Sequence, residues 1–189
     1  MQLQSRTLID GKPIPAINAM GVPAAGGAQP GANRSPHLAW SGAPSGTRSF
    51  AVLCVDHDAP TKPDDVNKPG RTVPYDLPRA DFVHWVLVDI PPSVSEIPAG
   101  SASDGITARG KREPRGPKGS RQGLNDYTLW FAGDKDMAGE YFGYDGPCPP
   151  CGGSCSVIPH LARRASFARA WPGWTSRRTS PACCRVMRR

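Results

Sequence analysis

The chain has 189 residues, enough for one domain with a substantial core, and its 21 Gly and 22 Pro favour turns and short strands over long helices. Its net charge of +7 is unevenly placed: residues 1–150 carry 15 Lys and Arg against all 16 acids, whereas residues 151–189 carry eight Arg and no acid. A protein-wide positive field, of the kind that attracts nucleic acid, is thereby excluded for the first 150 residues, and no apolar run reaches membrane-spanning length.

The N-terminus, Met1 to Ile9, alternates polar and apolar residues like a strand. It lacks the basic start and apolar middle of a secretory signal, so the expectation is a cytoplasmic protein with reduced thiols. His37–Ser41 reads as a short strand after the turn-rich Gly26–Ser35. Ser49–Val55 is an almost unbroken apolar run with β-branched members, as expected of a strand covered on both faces. Phe82–Ile90 predicts a third strand and Tyr127–Phe131 a weaker fourth. The connections over 59–81 and 91–125 are long and rich in Pro and Gly, and nothing before residue 150 has the period of an amphipathic helix. This organisation points to an antiparallel β-sandwich with functional loops.

Three groups of residues carry possible chemistry. Asp56-His57-Asp58-Ala59-Pro60 ends the most apolar strand, and strict alternation directs Asp56 and Asp58 to one face. Two carboxylates there are costly unless they bind donors, so they anchor loops or line a pocket. His84 interrupts the third strand on the face of Phe82, Val86 and Val88; it reads either as a core histidine bonded to a carboxylate or as part of a site with the two aspartates. Cys148-Pro-Pro-Cys151, with Cys155 beyond, has the spacing of redox thiols and zinc ligands, but it sits in a Gly- and Pro-rich loop and not at a helix start. The loop Arg109–Arg121 has six basic residues against Glu113 and reads as a solvated segment. Trp40, Trp85 and Trp130 lie in predicted strands and read as core or pocket wall.

Taken in order, "SPHLAWSGAPSGTRSFAVLCVDHDAPT", "DFVHWVLVDIP", "GLNDYTLWFAG" and "GYDGPCPP" resemble the phosphatidylethanolamine-binding protein family, most closely its bacterial Raf kinase inhibitor-like branch. The resemblance covers about residues 1–150. It implies a mainly β fold, an antiparallel sandwich, with a small pocket for an anionic group such as phosphate or a phospholipid headgroup. By motif match Asp56 and Asp58 come from the Asp-x-Asp-Ala-Pro turn, where His57 replaces the family's usual Pro. His84 comes from the Phe-x-His-Trp strand, and Gly146, Pro147, Pro149 and Pro150 form the Gly-Pro-x-Pro-Pro rim. In this reading an imidazolium and loop N–H groups hold the anion, while the carboxylates orient His84 and raise its pKa. No catalytic residue, cofactor or metal is expected, and the partner is a small phosphorylated or anionic ligand.

In the family a His-x-Tyr strand, a further strand pair and a C-terminal helix follow the Gly-Pro-x-Pro-Pro loop. Here residues 151–189 contain no Asp, Glu, Lys, Asn, Gln or Tyr and read as an Arg-, Ser- and Pro-rich tail, of the composition a GC-rich gene gives out of frame. The C-terminal elements are thus expected to be missing or replaced, and the pocket incomplete. Three other readings remain open: a small hydrolase using Asp56, Asp58 and His84; a nucleic-acid binder working through the tail's arginines; and a zinc or redox module built on Cys148, Cys151 and Cys155.

Overall fold

The structure, a computed structural model, describes residues 1–25, 27–66 and 71–148, together with the backbone of 183–188. Two antiparallel sheets face each other. The smaller joins β1 (Gln2–Gln4), β4 (Leu38–Ser41) and β7 (Glu96–Ile97) in the order β1-β4-β7. The larger has the order β8-β6-β5-β9, with β5 Phe50–Pro60, β6 Arg79–Ile90, β8 Arg121–Gln122 and β9 Cys183–Arg188. A separate hairpin pairs β2 (Gly21–Ala24) with β3 (Gly27–Pro30).

The core lies between the sheets. Leu38 and Trp40 of β4 and Ile97 of β7 meet Phe50, Val52 and Cys54 of β5 and Trp85, Leu87 and Ile90 of β6. Trp85, Leu87 and Ile90 are fully buried, each stabilising by about 1.5–3 kcal/mol relative to exposure. Trp40 meets Phe50 edge-on, with ring centroids 5.3 Å apart. Along β5, buried residues alternate with half-buried ones from Phe50 to Asp56, so this strand is fully covered on one face and not on both as its apolar run implied.

One sequence expectation is corrected. Tyr127–Phe131 is not a strand: Tyr127–Trp130 forms a single helical turn, α1. The Asn125 side chain accepts from the Tyr127 N–H at 3.1 Å and the Asp126 carbonyl from the Trp130 N–H at 2.9 Å, so the turn chemistry of Asn-Asp overrides the β-preference of the aromatics. The segment read as a tail lies outside the described residues except for the backbone of 183–188. Its residues 183–188 form β9, which pairs antiparallel with β5 from Phe50 opposite Arg188 to Val55 opposite Cys183. Backbone pairing to an open strand edge makes little demand on sequence, which is why composition did not announce it. Among the described residues no helix is long and apolar enough to cross a membrane.

Candidate functional site

The site begins with two breaks in the pairing of β5 with β6. Cys54 lies opposite Trp85 and Val55 opposite Val83, which leaves His84 without an opposite number. Further along, Asp56 faces Phe82 and Ala59 faces Ala80, so His57 and Asp58 share the place opposite Asp81. Such bulges bend a strand and re-aim its side chains. His84 and Asp56 end up on the wall of one pocket, each only 4% exposed. The bulge also overturns the expected common face of Asp56 and Asp58: Asp56, Ala59 and Pro60 line the pocket, and Asp58 does not. Asp58 contributes its backbone, whose N–H donates to Asp56 Oδ1 at 2.8 Å. His57 donates from Nδ1 to Asp81 Oδ1 at 2.6 Å, clamping the bulge across the two strands where the family's Pro would stiffen it.

The opposite wall comes from α1. Tyr127, Trp130 and Phe131, spaced i, i+3 and i+4, share one face of the helical turn and line the pocket with Phe82. Phe82 and His84 lie 4.9 Å apart between ring centroids, and Tyr127 stacks on Phe131 at 5.4 Å. The pocket encloses about 80 Å³, several water molecules' worth of space.

The floor is the loop Asp145–Cys148, held by a buried polar network. Asp145 is 1% exposed, and its carboxylate accepts from Asn33 Nδ2 at 2.7 Å, Asn125 Nδ2 at 2.9 Å and the Lys111 ammonium. Its carbonyl accepts from His84 Nδ1 at 2.9 Å, and its N–H donates to the His84 carbonyl at 3.0 Å. Gly146 follows, its N–H on Asn33 Oδ1 at 2.8 Å and its carbonyl accepting from the Tyr127 hydroxyl at 2.8 Å. A Cβ at Gly146 would lie 1.9 Å from the Asn18 carbonyl oxygen, so only Gly fits. Pro147 lines the pocket and accepts from the Met20 N–H at 3.0 Å. Pro149 and Pro150 lie outside the described residues, as do Cys151 and Cys155, while Cys148 is on the pocket wall. Among the described residues no group of three or more His, Cys, Asp and Glu side chains is placed to hold a metal ion.

Burial dominates the electrostatics. Desolvation pushes the Asp56 carboxyl up to about 6 from an ordinary 3.8, against the opposing Asp58 N–H, and the Asp58 charge raises it further. Desolvation pushes the His84 imidazole down to about 4 from 6.5, against the Asp145 carbonyl and the Asp145 and Asp126 charges. The expected imidazolium with a raised pKa is therefore corrected. A main-chain carbonyl and not a carboxylate orients His84, and at neutral pH the ring is neutral with its proton on Nδ1, leaving Nε2 as an acceptor. Tyr127, fully enclosed, has its phenol held well above the usual range by burial.

Sequence reasoning named Asp56, His84, Gly146 and Pro147 and missed Tyr127, Asp145, Asn33, Asn125 and Lys111. The i, i+3, i+4 spacing of Tyr127, Trp130 and Phe131 was available as a helical signal. Asp145 and Lys111 gave none, because the contacts that bury them span 34 residues.

Residues 4–155 match the sequence pattern of the family described as Phosphatidylethanolamine-binding protein. The chain is 34% identical to the UPF0098 protein YbcL of Escherichia coli K12 over 123 residues, 65% of this chain and 47% of YbcL. It is also 34% identical to the UPF0098 protein YbhB of the same organism over 155 residues, 80% of this chain and 70% of YbhB. The match thus spans about half the length of the first relative and somewhat more of the second. The fold is similar to the crystal structure of Escherichia coli YbcL, described as a new member of the mammalian PEBP family, with a TM-score of 0.52 and 29% identity over 81% of this chain and 68% of that one. The ordered motifs, the β-sandwich and these matches agree: the chain belongs to the phosphatidylethanolamine-binding protein family.

Proposed function

We propose that the chain is a non-enzymatic binder of a small phosphorylated anion, inorganic phosphate or a phosphorylated headgroup such as phosphoethanolamine, in the manner of the Raf kinase inhibitor-like branch. The observation that carries this reading is the convergence of Asp56 and His84 on one small pocket with opposite pKa displacements. Below about pH 6 Asp56 is a neutral acid that donates, and above about pH 4 His84 is a neutral imidazole that accepts at Nε2. A phosphate monoanion presents the complement, a P–O⁻ to accept and a P–OH to donate. The aromatic wall keeps both bonds out of water, where they count for more. Above pH 6 the Asp56 carboxylate repels an anion instead. A hydrolytic site would need Asp58 beside Asp56 and His84, and Asp58 is not part of the lining.

The test is calorimetric titration with phosphate and phosphoethanolamine between pH 5 and 8. Affinity is expected to fall roughly tenfold per unit above pH 6 as one proton is lost from the site. A phosphate monoester's own second ionisation lies near 6 as well, so the informative comparison is Asp56→Asn, which keeps a donor at every pH. This variant should bind at pH 8 more tightly than wild type, and His84→Ala should not bind at either pH. Equal affinity of His84→Ala and wild type would remove the site from consideration.

A further inference from the structure

Lys111 stands apart from the basic loop that carries it. Its neighbours Arg109, Arg112 and Arg115 are exposed, whereas the Lys111 side chain is 14% exposed and its ammonium is bonded to the buried Asp145. The backbone holds it there. Phe142 donates its N–H to the Lys111 carbonyl at 3.2 Å, and a Cβ at Gly110 would approach the Glu140 carbonyl oxygen to 2.0 Å, so residues 110 and 111 lie directly against the strand-like segment that leads into Asp145. Burying a lysine and an aspartate together carries a desolvation cost that close pairing and further hydrogen bonds must offset. Asn33 and Asn125 supply those bonds at Asp145. The same residue is joined to His84 by two main-chain bonds, carbonyl to Nδ1 and N–H to carbonyl.

We propose that Lys111 is a positioning residue of the pocket: its ammonium neutralises Asp145 and so holds the loop and the local field that act on His84, although it touches neither the pocket nor the ring. The groups facing His84 are the carboxylates of Asp145, Asp126 and Asp56, with Tyr127 and Cys148 on the same wall. All three carboxylates favour a protonated ring when ionised. Among the described residues Lys111 is the one cation bonded to Asp145, whose charge also reaches Tyr127 and Tyr141. Without Lys111, Asp145 keeps its two amide donors but loses the cation that compensates its field on the imidazole, and His84 takes up a proton more readily. A charged ring would change what the pocket binds, from a phosphate that donates to Nε2 to one that only accepts.

This inference deepens the phosphate reading but is tested without any ligand. In the unliganded full chain, the His84 ring is followed by NMR through a pH titration, its signals assigned by their loss in His84→Gln. In Lys111→Met the His84 midpoint should rise by about half a unit or more, and Lys111→Arg should leave it where wild type has it. A midpoint that is unchanged or lowered in Lys111→Met overturns the proposal. Lys111→Gln, which keeps a donor without a charge, serves if the Met variant does not fold. A chain that folds with Arg but with neither Met nor Gln marks Lys111 as a stability element only and equally overturns it. Should phosphate fail to bind wild type while the His84 shift is seen, the ligand reading fails and the role of Lys111 stands.

Discussion

Asp56 and His84 make opposite demands on the pH dependence of folding, and their separate removal should expose both. The Asp56 carboxyl titrates near 6 in the fold and near 3.8 when unfolded. Between those values the folded chain holds a proton that the unfolded chain has lost, so this group's contribution falls as pH rises through the window. Two units correspond to about 3 kcal/mol. His84 titrates near 4 in the fold and near 6.5 unfolded. Here the unfolded chain holds the extra proton, so the contribution rises with pH across nearly the same window, again by about 3 kcal/mol. In wild type the two slopes nearly cancel, because burial merely moves one proton from the imidazole to the carboxyl. Relative to wild type, Asp56→Asn should therefore be close to neutral at pH 4 and stabilised by about 2–3 kcal/mol at pH 7, since its amide retains the bond from the Asp58 N–H. His84→Gln should show the reverse trend, with its gain largest near pH 4 and gone by pH 7. Urea unfolding at four pH values, followed by the fluorescence of buried Trp85, measures both differences. A difference that does not vary with pH in either variant would refute the reasoning, because it would mean that neither group titrates away from its ordinary value.

Three further outcomes are expected. Gly146→Ala should destabilise by about 2–3 kcal/mol in denaturant titration, because the new methyl would meet the Asn18 carbonyl and the loop must shift. Tyr127→Phe removes the donor to the Gly146 carbonyl and should cost about 1–3 kcal/mol in the same assay, with the larger effect if no water replaces the hydroxyl. Truncation after residue 182 bares the β5 edge from Phe50 to Val55, and sedimentation should show association of the shortened chain that the full chain does not undergo.

Where apolar residues dominate a run, its strand character was readable from the sequence. The Phe50–Cys54 and Trp85–Ile90 stretches show their apolar, β-branched content directly, and they became the paired centre of the larger sheet. The Gly-Pro turn of the floor was readable from motif resemblance, and Gly146 has a local steric reason that any Gly at that place would share. The α1 turn was misread because Tyr, Trp and Phe favour strands in general, while the deciding signal was a side-chain bond from the preceding Asn125. The Asp145 network was invisible for a different reason. Its donors come from residues 33, 111 and 125, and no local window contains the charge that makes a buried aspartate tolerable.

The alternation rule fails at two places in the long β5–β6 pair that bear on the pocket, and both supply its polar groups. At His84 the extra residue places an imidazole beside Trp85 on a strand that would otherwise continue an apolar face. At His57–Asp58 the extra residue separates two carboxylates that a regular strand would have aimed together. Had both aspartates been buried side by side, their repulsion would add to desolvation, and the pocket would hold a shared proton between two acids in place of an acid facing a base. The bulge leaves Asp56 as a single carboxyl opposite a single imidazole, which is the arrangement that lets one neutral donor and one neutral acceptor coexist near pH 5. Irregularities of this kind cost ladder hydrogen bonds, and a sheet built only for stability has no use for them. Two of the pair's three irregularities thus fall at His84 and beside Asp56, where they shape the pocket, while the third, between Phe50 and Val52, lies in the core.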